Sequence, residues 1–361
     1  MERLIQQWNI QDALEKNNIE DAQTLLSLLP LDASRMLRIT PTQTNELYNA
    51  ASHELYCAKQ QYTNMLSLQD SYVTTQDPHI DDIVGKGIPI GSITEVVGES
   101  SSGKTQLCLQ LCFTVQQPIH LGGLGSEAVY IHNEGKFSSN RCHQLATWFG
   151  KQYNLLPSKM TEAIHTMYVP TTEAFFRSIA YQLPVLLERQ KKIRLVVIDS
   201  LGSAYRGCGT EQQRMDQFDT LQEICELGWR LKKLAHEYQI AIVVVNQVSD
   251  IIIDDRERKQ NSDGYLPSSM KDWLDITLEG DHMTRIGMFI QSLAKKPILG
   301  MTWSNSVTTR IRMARSLMMD GQPTRRALLV EFSSLVPRRG CEITIDERGI
   351  RSKIELDHLE Q

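Results

Sequence analysis

From residue 1 to about residue 60 the apolar positions keep helical spacing. Ile19, Ala22, Leu25, Leu26 and Leu29 fall on one face before Pro30 ends the run. Asp32 is an N-cap for a second helix. Thr40 followed by Pro41 announces a third, because a hydroxyl cap and a proline at the first helical position both answer the unpaired amides of a helix start. The spacing therefore predicts a small helical N-terminal domain over 1–60. From 61 to 82 the periodicity fades into polar runs such as Thr74-Thr75-Gln76-Asp77-Pro78, the composition of a linker.

The pattern changes within 83–361, which reads as one large α/β domain. Short β-branched runs at 93–97, 128–131, 195–199 and 240–245 alternate with helical stretches, and the last three are continuously apolar, as strands buried on both faces of a parallel sheet must be. The later runs at 308–313, 327–332 and 342–345 predict further strands forming an antiparallel edge to that sheet. An apolar fraction of 41% over 361 residues is enough for such a core.

Composition narrows the picture. No apolar run is long enough to cross a membrane, and Met1-Glu2-Arg3-Leu4 lacks the opening of a signal peptide, which predicts an intracellular protein without a membrane partner. Seven cysteines, none in a C-x-x-C pair, read as reduced core thiols rather than disulfides or zinc ligands. A formal net charge of −5 neither demands nor forbids a nucleic-acid partner, so any polyanion site must be local.

The sharpest chemical signal is Gly98-Glu99-Ser100-Ser101-Ser102-Gly103-Lys104-Thr105, which fits G-x-x-x-x-G-K-[ST] between a strand and an amphipathic helix that starts at Gln106. Glycines at its ends let backbone amides curl round phosphates at a helix N-terminus. Lys104 would reach the β and γ oxygens of ATP, and Thr105 would offer its hydroxyl to Mg²⁺. The buried run Leu195-Val196-Val197-Ile198 ends in Asp199, the form of a second motif that holds the magnesium through water.

Two further strand ends carry polar candidates. Glu134, after Val129-Tyr130-Ile131, either polarises an attacking water or is a turn residue beside Gly135. Gln247, after an apolar strand, either senses the γ-phosphate or satisfies loop backbone. Late in the chain Arg310, Arg312 and Arg315 are followed by Arg325-Arg326 and Arg338-Arg339. Strand alternation puts Arg310 and Arg312 on one face. With Trp303 upstream to stack on a base they are candidates for single-stranded DNA, the alternative being a solvated strand face.

Taken together, these residues resemble the eukaryotic branch of the RecA-type strand-exchange recombinases, and particularly their paralogues. The resemblance rests on Gly85-Lys86-Gly87-Ile88-Pro89-Ile90-Gly91-Ser92-Ile93-Thr94-Glu95, Gly103-Lys104-Thr105-Gln106, Asn133-Glu134-Gly135 with Phe137 and Arg141, and Asn246-Gln247-Val248. Leu299-Gly300-Met301-Thr302-Trp303-Ser304-Asn305 with Thr309-Arg310 looks most like the subgroup of the X-ray repair cross-complementing protein three and Rad fifty-seven. It spans about residues 18–352.

The resemblance implies a RecA-type P-loop ATPase core, with residues 98–106 on ATP, Thr105 and Asp199 on Mg²⁺, Glu134 as hydrolytic carboxylate and Gln247 coupling nucleotide to DNA. The segments after Gln247 and around Gly300 would be the two DNA-facing loops. Asn133 stands where the family's recombinase usually has threonine. The stretch through Asp250, Asp254, Asp255, Glu257 and Asp263 is acidic where phosphate contacts need cations, and no F-x-x-A donor element occurs in the sequence. These departures favour a mediator in homologous-recombination repair over a self-filamenting recombinase, with ATP turnover slow and used as a switch. The helical N-terminus and Lys295-Lys296-Pro297 speak against a hexameric helicase. Implied partners are single-stranded DNA, another paralogue and the main strand-exchange recombinase, and the implied location is the nucleus.

Overall fold

A computed structural model describes residues 1–17, 19–58, 71–205, 214–249, 273, 276–279, 286–316 and 323–353. The chain divides into two compact units, Met1–Gln69 and Asp70–Gln361.

The first unit holds α1 (Glu2–Trp8), α2 (Gln11–Lys16), α3 (Ala22–Ser27), α4 (Pro30–Leu37) and α5 (Pro41–Ala58), where the periodicity predicts three helices. Leu14, Leu25, Ala33, Leu37, Leu47 and Ala51 form its core. Pro30 opens α4 instead of only ending the preceding run: Leu29 is the N-cap, and Asp32 lies in the first turn, where a negative charge complements the helix dipole. The start of α5 follows the expected chemistry. The Gln43 amide donates to Thr40 Oγ1 at 3.3 Å while Gln43 Oε1 accepts from the Thr40 amide at 2.9 Å, a reciprocal capping box.

The expected linker 61–82 is folded at its C-terminal end. Strand β1 (Tyr72–Val73) pairs antiparallel with β2 (Ile88–Pro89), and α6 (Pro78–Val84) follows Asp77, whose carboxylate accepts from the His79 and Ile80 amides. Val73, Ile80 and Ile83 belong to the second unit's core, a tertiary role that their polar neighbours conceal in the sequence.

The second unit is built on a mostly parallel sheet with flanking helices. Its strands are β3 (Ile93–Gly98), β4 (Glu127–His132), β5 (Ile164–Tyr168), β6 (Ile193–Asp199), β7 (Ala241–Ser249), β8 (Thr277–Glu279), β9 (Lys296–Pro297), β10 (Thr309–Arg315), β11 (Arg326–Ser333), β12 (Arg339–Asp346) and β13 (Gly349–Ser352). They run β13-β12-β11-β10-β3-β7-β6-β4-β5, with β8 beside β12 and β9 beside β7. The antiparallel extension begins one strand later than the sequence predicts: β10 pairs parallel with β3, and only β11, β12 and β13 alternate in direction.

Strand alternation explains why the central runs are apolar throughout. Val243 and Val245 face the core that contains α7 (Lys104–Thr114) and α8 (Ser139–Tyr153), while Ile242 and Val244 face the core under helix Arg214–Tyr238. Helix α7 also ties distant parts of the unit together. Gln110, fully buried, donates to the Thr75 and Ile350 carbonyls at 2.6 and 3.2 Å and accepts from the Ile350 amide at 2.5 Å. The Ser352 amide donates to Asp77 at 2.8 Å, so β13 is also fastened to the start of α6.

Among the described residues, no helix is long and apolar enough to cross a membrane. Cys108, Cys112 and Cys142 are buried free thiols, Cys341 is buried, and Cys225 is free and exposed.

Candidate functional site

Strand β3 delivers the chain into the loop 98–103 at the C-terminal edge of the sheet, and α7 leaves it. Backbone space dictates the two glycines. Gly98 has φ +157°, and a Cβ there would stand 2.2 Å from the Met313 carbonyl oxygen; Gly103 has φ +112°, and its Cβ would meet Ile345 at 2.8 Å. Over the loop lies a cavity of about 1080 Å³ lined by Gly98, Glu99, Lys104, Thr105, Glu134 and Asp199 among others. Within the loop the Ser102 side chain is buried, with its hydroxyl oxygen unpaired.

Lys104 Nζ donates to the carbonyls of Gly98 and Glu99 at 2.8 and 2.7 Å. Burial lowers its pKa, with the nearby Asp199 and Glu134 charges opposing that shift. A half-buried ammonium held by neutral carbonyls alone retains charge for an anionic ligand. The loop is anchored from its other side: Glu99 pairs with Lys295 at 2.8 Å and Arg315 at 2.9 Å. Burial pushes the Glu99 carboxyl up, but these two cations outweigh it and hold it below the ordinary range.

Thr105 Oγ1 donates to Asp199 Oδ2 at 2.8 Å, and the Tyr130 hydroxyl donates to the same oxygen at 2.6 Å. A hydroxyl and a carboxylate meeting at the cavity wall beside a lysine form a donor set that suits Mg²⁺ on a triphosphate. Glu134 and Gln247, from separate strands, also meet: Gln247 Nε2 donates to Glu134 Oε1 at 2.6 Å. Asn133 exchanges two 3.0 Å hydrogen bonds with the Ser200 main chain, so the amide in the usual threonine position locks the ends of β4 and β6 together.

Trp303, Arg310 and Arg312 are placed otherwise than expected. They are buried, at 0%, 6% and 2% exposure. Arg310 Nε donates to Glu95 Oε2 at 2.5 Å, Arg312 Nε to Glu331 Oε2 at 2.7 Å, and Trp303 Nε1 to Glu95 Oε1 at 3.0 Å. The two arginines do share a face, as strand alternation predicts, but that face carries its own acids, and no base or phosphate can reach them without breaking buried ion pairs. The acidic positions 250, 254, 255, 257 and 263 lie outside the described residues.

Sequence reasoning did not assign a role to several residues of the cavity wall. Arg141, already part of the resemblance, lines the cavity, and its Nε donates to Gln106 Oε1 at 2.7 Å while its Nη2 donates to the Asp346 carbonyl at 2.7 Å. Asp346, Glu347 and Arg326 line it from the antiparallel extension. No local pattern marks these last three, because tertiary folding alone brings them to the loop.

The Rad51 family model matches residues 69–263. The chain is 30% identical over 341 residues to the DNA repair protein rhp57 of Schizosaccharomyces pombe, covering 91% of this chain and 92% of that one. It is 29% identical to the DNA repair protein XRCC3 of Bos taurus, covering 76% and 72% respectively. It is also 29% identical to the DNA repair protein RAD57 of Saccharomyces cerevisiae, covering 66% and 52%.

Proposed function

This chain belongs to the Rad51 family, and from that premise we propose that it is a nuclear, ATP-binding mediator of homologous-recombination repair of DNA double-strand breaks. It acts with another recombinase paralogue to assemble or steady the main recombinase on single-stranded DNA. The observation that carries the nucleotide part is the meeting of Lys104, Thr105, Asp199, Glu134 and Gln247 round one cavity. The names of its relatives as DNA repair proteins support the pathway.

In this reading residues 98–106 wrap the phosphates with main-chain amides, and Lys104 exchanges its two carbonyl partners for the β and γ oxygens. Thr105 and Asp199 would hold Mg²⁺, Asp199 through water, and the ion would supply positive charge against the phosphate oxygens. Glu134 orients and polarises water, and Gln247, hydrogen-bonded to Glu134, responds to the γ-phosphate. The burial of Trp303, Arg310 and Arg312 takes those three out of the proposed DNA surface.

The test is electron microscopy and strand-exchange assay of the purified protein with ATP, Mg²⁺ and single-stranded DNA. The expected result is no long regular filament and little exchange by the protein alone, but a longer recombinase lifetime on DNA when its partner paralogue is added. Long helical filaments of this chain by itself, with strand exchange that Lys104→Ala abolishes, would establish the alternative: an ATP-dependent, self-filamenting recombinase.

A further inference from the structure

Glu95 lies within β3, shortly before Gly98, is fully buried, and is not among the residues lining the cavity. Three donors from three separate elements converge on it. Asn246 Nδ2 from β7 and Trp303 Nε1 from helix Gly300–Ser304 share its Oε1 at 2.7 and 3.0 Å, and Arg310 Nε from β10 takes its Oε2 at 2.5 Å. We propose that Glu95 is a positioning residue that sets Gln247 and the segment 296–304 against the phosphate loop, so that the state of the nucleotide cavity is read out in that segment. The inference rests on the nucleotide reading above and adds to it the route by which the site communicates.

The strand register makes the route short. Val97 lies beside Asn246 and Gly98 beside Gln247, while on the other side of β3 Glu95 lies beside Arg310 and Gly98 beside Met313. A displacement of the Gln247 main chain towards a phosphate would carry Asn246, its chain neighbour in β7, with it. Asn246 shares one carboxylate oxygen with Trp303, so a displacement of the first donor alters the geometry left to the second. The backbone adds two constraints, because the Ile298 amide donates to the Gln247 carbonyl at 3.0 Å and Pro297 lies beside Val248 in the β7–β9 pair.

A second connection closes the loop. Arg310 also pairs with Glu331, which takes Arg312 at 2.6 Å; Arg312 Nη1 donates to the Lys295 carbonyl at 2.9 Å, and Lys295 Nζ returns to Glu99 in the phosphate loop. In these pairs Glu95 and Glu331 balance Arg310 and Arg312 in charge. Packing limits the cluster's slack: a Cβ on Gly202 would stand 2.5 Å from Asn246 Oδ1. A contiguous network of packed side chains, hydrogen bonds and ion pairs of this kind is what carries a displacement between two sites.

The experiment is amide hydrogen exchange on the full-length chain with Mg²⁺ and a slowly hydrolysed ATP analogue, with ATP affinity measured in parallel. Glu95→Gln keeps the shape but sets an amide against Arg310, and Trp303→Phe removes one donor and keeps the ring. In the parent protein, nucleotide should slow exchange over 243–249 and 296–304. Both variants should hold ATP affinity within about threefold while losing half or more of the protection over 296–304. Trp303→Phe carries the test alone where Glu95→Gln does not fold.

Protection in the variants equal to that in the parent overturns the inference. So does a parent whose exchange over 296–304 ignores nucleotide, or variants that lose ATP affinity as Lys104→Ala does, since Glu95 would then merely shape the loop. A parent that binds no ATP is a different result: the nucleotide reading itself fails, and the inference goes with it.

Discussion

Lys104 gives its charge to two main-chain carbonyls, partners that a triphosphate would outcompete. Lys104→Ala should weaken ATP binding by about ten- to a hundredfold, the worth of a charge-assisted contact, in filter binding or calorimetry. Glu134→Gln should leave that affinity nearly intact while slowing single-turnover hydrolysis by about a hundredfold or more, because water activation requires the carboxylate. Glu99 supplies a pH test. Its carboxyl lies below the ordinary value of 4.5 because Lys295 and Arg315 outweigh burial. A depressed acid stabilises the fold above its unfolded pKa and loses that contribution as pH falls through the folded one. Thermal melts below that value should therefore show an acid-side loss that is shallower in Glu99→Gln. At this scale the loop, Asp199, Glu134 and Gln247 were legible because each lies at the end of a recognisable strand. The partners of Glu99 were not, since nothing near residue 99 in the chain points to 295 or 315.

Strand β10 shows where reading by element succeeds and where it stops. Period two puts Arg310 and Arg312 on the same side, and both indeed contact Glu331. Exposure is a property of the sheet rather than of the strand: β3 on one flank and β11 on the other bring in the acids that cover these cations. Arg312→Ala should accordingly cost about 3–5 kcal/mol of stability, as loss of one member of a buried pair does, and lower the urea midpoint. The salt dependence of single-stranded DNA binding should stay as in the parent. A flattened log-log slope in a variant that remains folded would return Arg312 to the DNA surface. The helices of the first unit teach a related lesson, for Pro30 reads as a stop in one helix's pattern yet serves as the first residue of the next.

The whole molecule has a separate apolar core in each unit. The described residues that line the phosphate-loop cavity all belong to the second. Saturating ATP and Mg²⁺, about a hundredfold over Kd, should add about 2.7 kcal/mol to unfolding of that unit and leave melting of the first unchanged, resolved by calorimetry. The division into a helical and an α/β part could be seen in the change of periodicity, whereas the packing of Val73 and Ile80 into the second core could not. Gln110 has a consequence in genetics. It joins the phosphate-loop helix to β13 through both ends of one amide, and a Cβ on Gly349 would stand 2.4 Å from its oxygen. A nonsense codon shortly before Gly349 would thus remove no residue of the nucleotide loop and still behave as a null allele, and missense changes at Gly349 itself belong in the same class.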